Sequence, residues 1–408
     1  MKSRRREVLT NLLATGSAAW LPAARSGASP LRVGIAGGGI VGASIAMHLA
    51  RSGAHVLLFE KVGPAQGATQ NSFAWVNAFA EDAHYRSLRL ESLKAYHELD
   101  RRLSLNIVWG GYLKWASDRA EADLVQVSAR QLAGTAYPPR HITAEEIMTL
   151  DPAVTTGPIT EAIYSSIDGH LDPVQVTRRF LDDAARAGAR ILYPCELTAL
   201  DLSAGRLRGV TTTQGRFSLD RLVVAAGVDT PRILAMARFP LALKHAPGIL
   251  AHSTPLPALT RLAHDAPGGV EFKQMADGSV VGTDGRNPPD TPKHREIRAH
   301  AMSFPSAELR TYHGERILKR IAQFLPAAQS VPLHRLTLGF RPMPIDEFPV
   351  MGTLPTAQDI HVAVTHSGVT LAPIVGRLTA EEVLQGSRVD WFAPYRPERF
   401  VPAARSAV

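Results

Sequence analysis

Apolar residues gather in short uninterrupted runs near the start of the chain, and the first, Leu31 to Ala36, ends in glycines. Ile40 to Ala50 carries apolar residues at helical spacing, and a second run, "AHVLLFE" at 54–60, ends in an acid. Together they predict a β-α-β unit. Tyr85 to Leu103 has leucines at helical spacing and reads as a surface helix. Ile107 to Ile167 alternates strand-like runs with Pro/Gly breaks, which predicts a different, more β-rich layer. Pro173 to Ala187 is helical again, with Asp172-Pro173 as its start and Gly188 as its stop. Residues 189–227 predict successive strands with tight turns at Ala204-Gly205 and Gln214-Gly215, closing on a fully apolar strand. Residues 238–335 combine proline and short strands with one helix near Gly314 to Phe324. A last strand, Ile360 to Thr365, runs through a glycine turn into a helix from about Pro373 to Gln385.

Strand-helix segments thus stand at the start, middle and end of the chain, so one domain is assembled from separated pieces with a second inserted between them. The predicted class is α/β: a discontinuous Rossmann-like nucleotide-binding domain from 31–100, 165–235 and 333–385, and an inserted α+β substrate domain from 101–164 and 236–332 that contains a largely antiparallel sheet. Residues 386–408 are left as a C-terminal tail.

Composition changes this picture little. A chain of 408 residues, 45% hydrophobic and 20% charged, is globular and long enough for two domains. Half of the +8 net charge comes from Lys2, Arg4, Arg5, Arg6 and Arg25 against Glu7. No Lys/Arg run interleaved with aromatics follows residue 30, so nucleic acid is not an expected partner. The single cysteine, Cys195, excludes an intrachain disulfide and reads as a small buried side chain. The histidines are scattered without HExxH spacing, and no metal is expected.

The first 28 residues read as an address: a basic head, a modestly apolar stretch from Val8 to about Ala24, then small residues. Arg5-Arg6-Glu7-Val8-Leu9 resembles the twin-arginine pattern, which implies export of the folded protein to the periplasm. The stretch is too short and polar for a transmembrane helix. The alternative is a basic tail on a cytoplasmic protein.

Gly37, Gly39 and Gly42, with Ile40 and Val41 between the last two, form GxGxxG directly after a strand and before a helix. The first glycine permits the tight turn, the second admits the pyrophosphate, and the third lets helix and strand pack closely; the helix N-terminus faces the anion. Glu60 ends the second strand, where an acid accepts hydrogen bonds from ribose hydroxyls and disfavours a 2′-phosphate. The motif alone does not separate NAD from FAD.

Four segments resemble the FAD-dependent D-amino acid oxidase superfamily, the group with glycine oxidase, sarcosine oxidase and the D-amino acid dehydrogenases. They are the glycine unit ending in Glu60-Lys61; "GATQNS" at 67–72, similar to the family's small-Thr-x-x-Asn loop; "DRLVVAAG" at 220–227, preceded by "CEL"; and the pair "GFRPMPIDEFPVMG" at 339–352 and "THSGVTLAPIVGRLTAE" at 365–381. The resemblance implies FAD contacts at Lys61, Ala68, Thr69, Asn71, Ser72, Leu197, Ala226, Gly227 and Gly339, and at the turn His366, Ser367, Gly368, Val369 and Thr370. That turn can offer N–H groups to the flavin pyrimidine oxygen. Asn71 stands where covalent members carry a histidine, and no cysteine follows Cys195, which implies non-covalent FAD. Arg341 falls in a segment similar to the family's Gly-x-Arg-Pro turn, which implies a grip on the substrate carboxylate. The alternative is that Arg341 pairs with nearby Asp346 or Glu347 or contacts the flavin.

The resemblance further implies oxidation of a C–N bond in a small amino acid or N-substituted amino acid by hydride transfer to FAD, with oxygen or a respiratory electron acceptor taking the electrons onward. A flavin enzyme acting on 2-hydroxy acids and a non-catalytic flavin-binding protein are the competing readings. His170, His245 and His366 read as structural, and Lys273 and Tyr312 as solvated surface residues.

Overall fold

The computed structural model describes residues 29–285, 292–299 and 306–401, and the account that follows concerns the unit Leu31–Val408. The first 28 residues, which carry the expected address, lie outside the described residues, as do 402–408. Arg32–Ala36 and His55–Phe59 each bury every position but the first, as strands covered on both faces do. They pair in parallel at the middle of a six-stranded sheet in the order Val350–Leu354, Ala357–Val364, Arg221–Val224, Arg32–Ala36, His55–Phe59, Arg190–Leu192. Only Val350–Leu354 runs antiparallel to its neighbour. The helices Ile40–Arg51, Pro173–Arg186 and Gly368–Gln385 share one apolar cluster with Val33, Ile35, Val56 and Leu58, all fully buried. Each such side chain contributes roughly 1.5–3 kcal/mol.

A second, eight-stranded sheet runs Leu333–Pro344, Leu243–Pro255, Ser279–Thr283, Val270–Gln274, Ala263–Ala266, Tyr112–Ala116, Glu161–Ser165, Arg140–His141, antiparallel except between Ala263–Ala266 and Tyr112–Ala116. The helix Ala307–Ala322 packs on it through Ile317, Leu318 and Ile321. This is the α/β architecture with a largely antiparallel second sheet that the sequence predicts. Leu197–Ser203, Arg206–Thr212 and Gly215–Ser218 form a separate three-stranded meander, with the turns at Ala204-Gly205 and Gln214-Gly215 where expected.

Four local expectations need correction. The stretch 107–167 is not all β: Arg119–Leu132 and Ala144–Leu150 are helices with side-chain N-caps at Asp118 and Thr143. Ala122, Val125, Ala129 and Leu132 form the buried stripe of the first, a helical spacing that the neighbouring Pro/Gly breaks obscure. Segment 333–344 belongs to the eight-stranded sheet, where it pairs with Leu243–Pro255 over its length. The helix Ala83–Leu103 is not a plain surface helix, since Leu88, Tyr96 and Leu99 are buried in the core. Nor do the described residues after 385 form a free tail: Phe392 and Tyr395 are buried, and Arg396 donates to Glu382 at 2.7 Å.

Candidate active site

The turn after Arg32–Ala36 takes Gly37 through φ +111°, where a side chain is strained, and a Cβ there would meet the Ala225 carbonyl oxygen at 2.4 Å. One turn into the helix, a Cβ at Gly42 would meet the Gly37 carbonyl oxygen at 2.1 Å. Helix and strand therefore approach as only glycine permits, and the N-terminus of Ile40–Arg51 opens onto a cavity of about 630 Å³. Lining it are Gly37, Gly39, Ile40, Val41, Glu60, Lys61, Ala68, Thr69, Asn71, Ser72, Ala226, Gly227, Gly339, Arg341, His366, Ser367, Gly368, Val369 and Thr370. The sequence-predicted residues thus converge, with two exceptions. Gly42 lies behind the wall as a packing contact. Leu197 does not line the cavity: its side chain is buried in the adjoining apolar cluster and its carbonyl accepts from Arg232 at 3.2 Å. Arg232 is fixed there by Asp229 and Glu196.

Among the described α-helices, the ends at the cavity differ from those elsewhere. Asp82, Asp118, Thr143, Asp172 and Ser306 each cap a helix with a side-chain oxygen. The N-cap residues Gly39 and Ser367 supply no side-chain cap of their own, and both line the cavity; at the first of these ends the Ile40 N–H takes the Thr69 hydroxyl at 3.1 Å. A helix N-terminus presents unsatisfied N–H groups and about half a positive charge, so these ends suit an anionic group. Glu60 is held by two backbone donors, Gly38 N–H at 2.7 Å and Val62 N–H at 2.9 Å. Each carboxylate oxygen keeps a second acceptor position for a hydroxyl. Glycine cradle, helix ends and an acid at the second strand end fit a dinucleotide with its pyrophosphate at Gly39 and its ribose at Glu60.

The helix predicted from Pro373 begins five residues earlier, so the supposed glycine turn is its first turn. Pro373 has no N–H for the Val369 carbonyl, and the hydroxyl of Tyr96 donates to that oxygen at 2.6 Å instead. Ser92 donates to the next carbonyl, Thr370, at 2.6 Å. The helix Ala83–Leu103 thereby fixes the N-terminus that faces the cavity.

Arg341 stands on Leu333–Pro344 opposite Ala246. Of the nearby acids, Asp346 pairs with Arg399 at 2.7 Å and Glu347 with Lys244 at 2.6 Å, while the Glu347 and Glu271 carboxylates also act on the Arg341 charge. Arg341 Nη1 lies 3.5 Å from His366 Nε2, a contact in which only the guanidinium can be the donor. Burial, followed by the Arg341 and Arg89 charges, holds His366 down to about 4. His366 stands in the cavity wall beside the guanidinium, open to solvent on its cavity side. His170 is buried and pairs with Trp75 in a two-stranded ribbon, and the His245 side chain lies outside the described residues.

Other cavity residues gave no signal in the sequence. Arg89, on a helix face with Leu88 and Ser92, donates from Nε to the Asn77 carbonyl at 3.1 Å and from its terminal nitrogen to the Asn77 side chain at 2.8 Å. Trp75 and Glu271 also line the cavity. Lys273, expected at the surface, is 1% exposed and donates to the Leu171 carbonyl at 3.2 Å; burial lowers its ammonium to about 7. Tyr312 is exposed, as expected, and is not among the cavity residues.

Among the described residues no cluster of three or more His, Cys, Asp or Glu could hold a metal, and no helix is long and apolar enough to cross a membrane.

Comparison with known proteins gives this arrangement a context. Residues 32–382 match the family model described as DAO, FAD dependent oxidoreductase. Human mitochondrial dimethylglycine dehydrogenase is 25% identical over 61% of this chain, which spans only 30% of that protein's length. Glycine oxidase from Bacillus licheniformis is 25% identical over 90% of this chain and 96% of its own. The solved structure of L-proline dehydrogenase from P. horikoshii superposes with a TM-score of 0.80 over 91% of this chain and 98% of its own, at 22% identity.

Proposed function

Because the chain belongs to the FAD-dependent oxidoreductase (DAO) family, we propose that it oxidises the C–N bond of a small amino acid or N-substituted amino acid, using FAD held without a covalent link. The observation that carries this reading is the meeting, in one cavity, of the dinucleotide cradle at Gly37–Gly42 with Arg341, a cation from the other sheet. When bound, FAD supplies the two-electron acceptor. The chain's own part is placement. The helix ends at Gly39 and Ser367 and the acid at Glu60 would hold the cofactor. Arg341 would present a planar fork to a carboxylate, with His366 beside it. Burial lowers the Arg341 pKa, and the Glu271 and Glu347 carboxylates, which also line the cavity, act against that shift. Glycine oxidase and dimethylglycine dehydrogenase, among the relatives, are named for amino-acid substrates, which supports this class over 2-hydroxy acids. Asn71 lines the cavity and no cysteine follows Cys195, which supports a flavin that leaves with denaturant.

Anaerobic mixing of the purified protein with glycine, sarcosine, D- and L-amino acids and 2-hydroxy acids tests the reading. Bleaching of the flavin by an amino acid supports it; bleaching by hydroxy acids alone, or by nothing, overturns it. Peroxide formation against dye reduction then separates oxygen from a respiratory acceptor. The export reading belongs to the same proposal: Arg5→Lys with Arg6→Lys should retain in the cytoplasm a protein otherwise found in the periplasm. A wild-type protein found in the cytoplasm defeats it.

A further inference from the structure

Trp75 lines the cavity, and it is held from four sides. Its Nε1–H donates to Asp168 Oδ2 at 2.8 Å, and its ring stacks on Tyr112 with centroids 4.3 Å apart and planes 27° apart. Its backbone pairs with His170, and its carbonyl accepts from Thr370 Oγ1, on the first turn of the helix Gly368–Gln385, at 3.0 Å. The preceding carbonyl, Ala74, accepts from Leu171 N–H at 3.2 Å and lies 3.5 Å from the buried Lys273 ammonium. Asp168 is fully buried and also accepts from the hydroxyls of Ser165, at 2.7 Å, and Tyr137. Every oxygen of that carboxylate is engaged, and the indole's one polar atom is bound to it.

We infer that Trp75 is a specificity-determining residue, a fixed apolar wall of the substrate cavity, and that Asp168 is its positioning residue. The inference rests on the reading that this cavity oxidises amino acids. A ring tied at its nitrogen, its face and its backbone does not swing aside for a larger group, so it limits the bulk admitted beside it. With its N–H turned to Asp168, the ring offers the cavity carbon and a π face. That surface suits an alkyl group or an ammonium and disfavours a carboxylate. Arg341, on the other sheet, takes the carboxylate. The substrate class that follows is a monocarboxylic amino or N-alkyl amino acid, with acidic side chains and second carboxymethyl groups excluded.

The test uses the holoprotein and three variants, Trp75→Ala, Trp75→Phe and Asp168→Asn, with glycine, sarcosine, alanine, proline, phenylalanine, aspartate and glutamate as probes. Trp75→Ala should raise kcat/KM for the bulkiest neutral amino acid relative to the smallest by tenfold or more, with flavin content unchanged, while Trp75→Phe stays within threefold of wild type. Asp168→Asn leaves one acceptor oxygen, beside an NH2, for three donors. It should raise KM several-fold with kcat within twofold, and it should add nothing to KM in the Trp75→Ala background. Selectivity unmoved by Trp75→Ala, efficient turnover of aspartate or glutamate by wild type, or an equal Asp168→Asn effect in both backgrounds each overturns the inference. Positioning has a readout without any substrate: the near-UV circular dichroism that Trp75→Phe removes should also be lost in Asp168→Asn. If that band survives Asp168→Asn, the positioning role fails. If no amino acid bleaches wild-type flavin while the band behaves as expected, it is the functional reading that falls.

Discussion

At the Gly37 end of the cavity the wall is mostly backbone, a glycine turn and the open ends of helices, whereas at the Arg341 end it is made of side chains carried on separate strands. The first wall tolerates almost no change, because its chemistry is the close approach of main chains. A Cβ at Gly42 would overlap a carbonyl oxygen 2.1 Å away, and no rotamer relieves a backbone contact. On the proposed function the second wall is adjustable, since replacing Trp75 or Arg341 should change what is bound without moving a strand. One wall can thus serve a whole family while the other is tuned for each member's substrate, as the division between fold and site requires.

The largest effect expected from breaking this division is at the backbone wall. Gly42→Val should yield protein without flavin, read as visible absorbance per polypeptide after gel filtration; normal flavin content would show that the helix can shift away. Glu60→Ala is the milder probe of the same wall. Losing a charged acceptor costs about 1.5–3 kcal/mol, roughly a 10- to 150-fold weaker flavin affinity, measurable by fluorescence on titrating the apoprotein. Unchanged affinity would remove Glu60 from the ribose. On the side-chain wall, Arg341→Lys should keep the flavin and raise KM by about tenfold or more, because a point charge replaces a fork. Loss of flavin in this variant would assign Arg341 to the cofactor instead.

The remaining effect is on stability and leaves binding aside. Burial raises the Asp168 carboxyl to about 6, against hydrogen bonds from Tyr137, Ser165 and Trp75 and the Arg89 charge, which all lower it. A raised carboxyl pKa means that the folded protein holds the proton longer than the unfolded chain. Stability from this group is therefore full below about 3.8, falls as the pH rises towards about 6, and is level above that. The whole change is about 3 kcal/mol. The melting temperature of wild type relative to Asp168→Asn should drop by a few degrees between those limits. A difference that rises with pH would mean that the three donors outweigh burial.

The sequence by itself determined the β-α-β unit, the glycine cradle and Glu60, because each is a local matter of contiguous residues and backbone geometry; the loop at 67–72 came through a resemblance. It also placed Arg341 and the His366 turn through a resemblance of short segments, and the structure brings both to the same cavity. Tertiary structure alone decided the rest. Asp346 and Glu347 are close to Arg341 in sequence, yet Arg399 and Lys244, more than fifty residues away, take them. Lys273 looks like a surface lysine until the register of Val270–Gln274 against its neighbours turns it beneath the Trp75 ribbon. The Asp168–Trp75 bond joins residues 93 positions apart. Periodicity shows which face of a strand is buried, but the partner across that face is set by how distant strands align, and no run of neighbouring residues records that alignment.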